Sequence, residues 1–214
     1  MSHSISPAFL LDVERGTPAP AELWDAITEQ QLEDWEAEWV PELFKAMQKM
    51  RRLNVPRKFW PQSRHWDWRK KTQALQGMLA HPGFSVMCSG MTQGMMIVDS
   101  VMKRCRLPAQ KGKDLVYVEY LENAPWNRKE LLFDPARYRG VGSILMRAAI
   151  ELSRDEGFKG RVGLHSLPQS NSFYANRCGM ADLGAESDPN YSSMHYFEMT
   201  PEQAEDFIAR GTKP

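Results

Sequence analysis

Apolar residues recur at three- and four-residue steps through Leu32, Trp35, Trp39, Leu43, Met47 and Met50, the period of one helix face. Thr28 with Gln31 makes a capping box ahead of them. Pro41 falls inside the pattern and either kinks this helix or starts a second one. Residues 14–20 read as a loop, and Pro56 and Pro61 break the helical pattern over 54–62. A further helix is expected from near Ser63 to Leu79, closed by His81-Pro82-Gly83. The texture then changes. Phe84–Ser89 and Met95–Ser100 read as strands around a Gly90–Gly94 turn. Leu115–Leu121 is apolar on both faces, which predicts a central strand. An irregular insertion spans 125–136. Val141, Ile144, Leu145, Ala148, Ala149 and Leu152 then form one helical stripe from about Gly140, with Gly157 as its C-cap. Arg161–Ser166 is a strand, Ser170–Arg177 a short helix, and Met180–Leu183 and Met194–Met199 two closing strands. The pattern predicts a helical segment over 1–83, packed on or capping a site, and an α/β core over 84–214 that continues from it as one domain.

Composition narrows the classes. A chain of 214 residues with 42% hydrophobic content can bury a sizeable core. Lys+Arg and Asp+Glu are 27 each, so no global charge draws the chain to nucleic acid or an anionic membrane. No apolar run reaches membrane-spanning length. The start of the chain, with His3, Pro7 and Asp12, lacks a charged segment followed by an apolar core, so a cytoplasmic location is expected. Three cysteines without metal-type spacing read as reduced thiols, and no metal is expected. Six of the seven Trp residues precede residue 70. Residues 57–71 interleave them with Arg and Lys. Such a segment binds RNA by phosphate pairing and base stacking, or forms a lid whose basic stems cover a Trp-rich core. Helical spacing and neutral charge favour the lid.

The sharpest motif is Arg137-Tyr138-Arg139-Gly140-Val141-Gly142, which opens the amphipathic helix. Glycines bring backbone close to a ligand, and a helix start exposes unpaired N–H groups and partial positive charge, a seat for pyrophosphate. Ser143 adds a hydroxyl. There is no Lys for a P-loop, and the third glycine of a dinucleotide fingerprint is missing. The remaining pattern, Arg/Gln-x-x-Gly-x-Gly/Ala, resembles the coenzyme A motif of the GNAT superfamily. Ser172-Phe173-Tyr174-Ala175-Asn176-Arg177-Cys178-Gly179-Met180 resembles that superfamily's late helix. The resemblance covers about 84 to 199. It departs in two places: Tyr174 to Gly179 is five residues where four is usual, and the 125–136 insertion separates the central strand from the turn.

The resemblance implies a mixed, mostly antiparallel sheet with central strands splayed apart and helices on both faces, to which the periodicity adds an extra N-terminal helical segment. It implies acetyl-CoA as cosubstrate and direct attack by an amine of a small molecule or protein, with a homodimer as one possible assembly. Arg137, Arg139, Gly140, Val141, Gly142 and Ser143 would then hold the pyrophosphate, and Leu121 and Asn123 at the splay would hold the pantetheine arm. Tyr174 would protonate the departing thiolate. For the base, the residues themselves offer three candidates. Glu119 sits among apolar neighbours on the face of Leu115, Tyr117 and Leu121, which raises its pKa. Glu122 lies at the strand end, and His165 at the end of its own strand. For either Glu the ordinary alternative is an ion pair. His195 is a weaker option. Trp126 and Asn127 of the insertion are candidates to line the acceptor site. Two other functions stay open: a non-catalytic acyl-CoA-binding module, and an RNA-associated acetyltransferase using 57–71.

Overall fold

The computed structural model describes residues 3–75, 77–131, 135–191 and 193–211. Its strands are β1 (Ile5–Asp12), β2 (Thr17–Trp24), β3 (Gly83–Cys88), β4 (Met91–Asp99), β5 (Val116–Asn123), β6 (Tyr138–Arg139), β7 (Val162–Ser166), β8 (Ala181–Ala185) and β9 (His195–Met199). They form one sheet in the order β6-β1-β2-β3-β4-β5-β7-β9-β8. All neighbours are antiparallel except β5 and β7. The expected mixed, mostly antiparallel α/β sheet is therefore observed, with Leu115–Leu121 and Arg161–Ser166 in adjacent strands.

Residues 5–24 correct the expectation of a helical N-terminal segment and of a loop at 14–20. They form the β1–β2 hairpin. Pro7, Pro18 and Pro20 hide this in the sequence, because proline argues against a strand. The sheet tolerates Pro18 and Pro20 because β3 pairs only with Ala21–Trp24 of β2. The sheet thus runs continuously across residue 83.

The helical pattern after Thr28 forms α1 (Glu29–Asp34), a π-helical stretch (Trp35–Trp39) and α2 (Val40–Arg52). Pro41 has no N–H for a regular turn and its ring crowds the turn before it. The helix responds with a π-turn, in which Val40 N–H reaches back to Trp35 O. Asp67 caps α3 (Trp68–Ala74) by accepting from Lys70 N–H at 3.0 Å. The expected Ser63–Leu79 helix is cut to this length because Arg64 and Trp66 close turns onto Pro61 and Ser63. The β3–β4 turn is two residues, Ser89 and Gly90, both at positive φ (53° and 72°), so β4 starts at Met91 rather than near Met95.

Two apolar layers flank the sheet. Met96 and Val98 of β4 face α4 (Val141–Asp155), while Met95 and Ile97 face the side covered by Leu32, Trp39 and Trp68. That double burial explains the unbroken apolar run. After β9 a closing helix, α5 (Pro201–Ala209), buries Ala204 and Phe207 against the α4 layer. The elements predicted from the sequence end at Met199 and miss this helix, whose local signal is the Thr200-Pro201-x-Gln203 capping box, with Gln203 Oε1 accepting from Thr200 N–H at 2.9 Å.

Candidate active site

β5 and β7 pair only through Val116–Val162, Tyr117–Gly163 and Val118–Leu164. Beyond that point the β7-facing backbone of β5 has no strand partner. The register between β4 and β5 shifts at the same place: Val98 opposes Val118 and Ile97 opposes Tyr120, which leaves Glu119 as the extra residue of a bulge. A bulge turns its strand and strengthens the local twist, so the splay has a local cause. The bulge also flips the alternation. Leu121 packs toward α4, whereas Leu115 and Tyr117 lie in a separate cluster on the opposite face. Glu119 therefore does not share a face with Leu121 as the sequence suggested.

Two clefts open at the splay and share Leu121, Leu167, Tyr174, Ser170 and Trp66. One, of about 510 Å³, runs past Asn123, Arg128 and Lys129 to Gly142 and Phe173. The other, of about 350 Å³, is lined by Glu119, His165, Tyr120, Tyr191 and Lys71. Tyr174 stands between them.

The larger cleft ends at the glycine turn. Gly140 has φ +104°, a left-handed value that suits glycine, and α4 starts directly after it. The first helical bond there is Ile144 N–H to Gly140 O, at 3.0 Å, so the N–H groups of Val141, Gly142 and Ser143 have no helical acceptor. β1 pins the turn, because Leu11 and Asp12 pair with Arg139 and Tyr138, and Val13 N–H donates to Arg137 O at 3.0 Å. Arg139, Gly140, Ser143, Lys129 and Arg177 line a further cleft of about 490 Å³ against Phe9 and Pro18 of the hairpin. Arg137 is elsewhere, with its guanidinium 5.4 Å from the Trp126 ring centre. Within the first cleft, Asn123 Oδ1 is buried and makes no hydrogen bond. It is a free acceptor facing the cleft among the described residues.

The five-residue step from Tyr174 to Gly179 is absorbed locally. Phe173–Cys178 is one π-turn, Gly179 N–H donates to Tyr174 O, and Gly179 takes φ 72°. The additional residue is wound into the helix, and Tyr174 still reaches the splay. Its hydroxyl makes no hydrogen bond among the described residues. Burial raises its pKa well above the ordinary phenol value, which keeps the proton on the oxygen.

The three base candidates diverge. Glu122 is a buried hub: Ser63 Oγ (2.5 Å), Trp68 Nε1 (2.7 Å) and Arg128 Nη1 (3.0 Å) all donate to it. The ion-pair alternative describes it. His165 is engaged at both nitrogens. Glu186 Oε2, 3.0 Å away, only accepts, so Nε2 carries the hydrogen. Nδ1 then accepts from Tyr117 Oη at 2.5 Å, and the ring stacks on Tyr191 with centres 3.8 Å apart. Glu119 has no hydrogen-bond partner among the described residues, and burial raises its pKa. His195 lies apart, 3.0 Å from Asp182 on the outer strands. Tyr117, Tyr191, Glu186 and Lys129 escaped the sequence reading, because only the fold brings them to the splay.

Burial lowers the His165 pKa below its ordinary value, against the opposing pull of Glu186. A folded-state pKa below the unfolded one, about 6.5, means that the unfolded chain takes up the proton first. Stability from this group is complete above that value and falls as the pH drops below it. We expect the thermal midpoint to fall between pH 7 and pH 5, and a His165→Gln chain to show a shallower fall. Equal slopes would remove His165 as the cause.

The 57–71 segment forms a wall of the smaller cleft through His65, Trp66 and Lys71. Arg69 is held by Glu29 and Glu36 at 2.7 and 2.6 Å, and Lys70 by Asp67 at 3.0 Å. Gln62 and Gln169 exchange backbone-to-side-chain bonds, both 3.1 Å, which tie the segment to the loop after β7. Trp126 Nε1 and Asn127 Nδ2 donate to Gln93 Oε1 at 2.8 and 2.9 Å, so both brace the insertion. Residues 132–134 of that insertion lie outside the described residues. Among the described residues no helix is long and apolar enough to cross a membrane, and no cluster of three His, Cys, Asp or Glu stands ready for a metal ion.

No protein-family model matches the chain, and no curated protein matches it. Solved structures do. The GNAT domain of S. lividans PAT superposes with a TM-score of 0.54 at 16% identity, covering 91% of this chain and 96% of that one. Mycobacterium smegmatis RimJ, solved in complex with CoA-disulfide, gives 0.51 at 15% identity, with 97% and 94% covered. A Bacillus halodurans protein of uncharacterized function gives 0.54 at 13%, with 95% of each chain covered.

Proposed function

This chain has the GNAT fold, and on that premise we propose that it transfers an acetyl group from acetyl-CoA to a primary amine by direct attack in a ternary complex. The observation that carries the reading is the meeting of two clefts at the β5–β7 splay, with Tyr174 between them. In this reading the coenzyme lies in the larger cleft. Its pyrophosphate takes the N–H groups of Val141, Gly142 and Ser143, with Lys129, Arg139 and Arg177 around it. Its pantetheine arm passes Asn123 and Leu121. That RimJ was solved with a CoA-disulfide supports the assignment.

The acceptor enters by the smaller cleft. Glu119 takes the proton that an ammonium must lose before it attacks. A carboxylate raised by burial is better matched to that step than one in water. The nitrogen lone pair adds to the thioester carbon, the C–S bond breaks, Tyr174 gives its proton to the departing sulfur, and the second proton shed by the nitrogen restores the Tyr174 hydroxyl. Peptide N–H groups left free at the splay polarise the carbonyl. Arg137, Glu122 and His165 position the surrounding elements and take no part in the chemistry. The acceptor is an amine of a small molecule or of a protein.

Tyr174→Phe and Glu119→Gln test the assignment. Each should lower kcat by about 100-fold while the calorimetric affinity for acetyl-CoA stays the same. Full thiol release in both variants would remove these roles. Coenzyme binding with no turnover across a broad amine panel would favour the non-catalytic acyl-CoA-binding module.

A further inference from the structure

Among the described residues Lys71 is the one ammonium that lines the acceptor-side cleft, which it shares with Glu119, Leu121 and Tyr174. Its Nζ stands 3.3 Å from the Tyr120 ring centre and 5.2 Å from that of Trp66. The two rings meet edge to face with centres 5.3 Å apart and form a seat for a cation. Tyr120 directly follows the bulge at Glu119 and precedes Leu121, where the strands have parted. No carboxylate hydrogen-bonds to Lys71 among the described residues. Neighbouring lysines differ: Lys70 pairs with Asp67 at 3.0 Å and points to solvent, and Lys103 donates to Tyr191 Oη at 3.2 Å.

We propose that Lys71 is itself an acetyl acceptor, so that the chain modifies its own acceptor cleft. The inference rests on the coenzyme and acceptor sides assigned above. The flexible four-carbon stem lets Nζ swing from the Tyr120 face toward the splay. Glu119 takes one proton from the ammonium. The amine lone pair forms the N–C bond to the thioester carbonyl carbon, and the C–S bond breaks. The thiolate takes a proton from Tyr174 and leaves as coenzyme A, and the second proton that the nitrogen sheds as the amide forms restores the Tyr174 hydroxyl. Burial lowers the Lys71 pKa, which enlarges the fraction of free amine at neutral pH. The product is a neutral amide. It no longer makes the cation–ring contact with Tyr120, and it occupies space that an external amine needs. Self-transfer is therefore a single event per chain, and it slows later turnover.

The test uses the full chain with acetyl-CoA and no added amine, followed over time by intact mass and fragment mass spectra. One acetyl group per chain is expected, on Lys71, appearing at least about ten-fold faster than on Lys70 because proximity to the thioester supplies the gain. It should be absent in Lys71→Arg and Lys71→Gln, and strongly slowed in Glu119→Gln. Lys70 reacting as fast as Lys71, or Lys71 reacting equally in Glu119→Gln, overturns the proposal. Titration with acetyl-CoA and thiol release with a panel of amines run beside it. Binding and turnover without Lys71 modification overturn the self-transfer alone. Absence of coenzyme binding overturns both readings.

Discussion

A Gly142→Trp chain is expected to bind acetyl-CoA about 100-fold more weakly than the parent chain, equivalent to about 2.7 kcal/mol. Gly142 is the second residue of α4, lines the larger cleft, and offers one of the N–H groups ahead of the first helical bond. A Cβ at this position would stand 3.0 Å from Phe173 Cζ, so the Phe173 ring must give by a few tenths of an ångström even for a methyl and much further for anything larger. An indole here either fills the cleft or drives the Phe173 ring into it. Gly142→Ala separates the two effects. Its methyl meets only the edge of a ring that can tilt, so the chain should fold and lose much less affinity. Calorimetric titration with acetyl-CoA, alongside a thermal melt of each chain, reads the result. Parent-like affinity in a folded Gly142→Trp chain would move the coenzyme away from the turn.

Trp68→Ala is expected to destabilise the fold by about 4 kcal/mol, since replacing a large core aromatic by alanine costs about 3–5 kcal/mol. For a chain of this size that is a fall of roughly 10 °C in the thermal midpoint. The Trp68 side chain is fully buried and packs with Leu32, Trp39 and Met95 between the N-terminal helices and the sheet. Its Nε1–H also donates to Glu122 at 2.7 Å. Removing it opens a cavity and leaves a buried carboxylate with only Ser63 and Arg128 as donors among the described residues. Trp68→Phe keeps most of the volume and loses the donor, which should cost about 1–3 kcal/mol. Urea melts of the two chains separate packing from the hydrogen bond. Equal losses would show that the Glu122 contact dominates, and a loss under about 1 kcal/mol in Trp68→Ala would show that the helices are not anchored here.

The sequence by itself determined the elements that depend on near neighbours. The double-faced apolar run of β5, the α4 stripe, the Thr28–Gln31 cap and the glycine turn are all properties of short windows, because local periodicity and backbone freedom set them. Glu119 stood out for the same reason, as a charge in an apolar strand. Proline-bearing β1 and β2 did not, since only pairing with β3 and β6 makes them strands. Nor could spacing reveal that the residue added between Tyr174 and Gly179 is wound into a π-turn, or that a bulge at Glu119 turns Leu121 away from it. The tertiary structure alone decided the fates of the three base candidates. Trp68, Ser63 and Arg128 converge on Glu122, Tyr117 and Glu186 close on His165, and Glu119 has no hydrogen-bond partner among the described residues. The reason is physical. A carboxylate's or imidazole's role depends on which donors, acceptors and apolar groups surround it, and here those come from segments 6 to 59 residues away that meet only when the sheet closes.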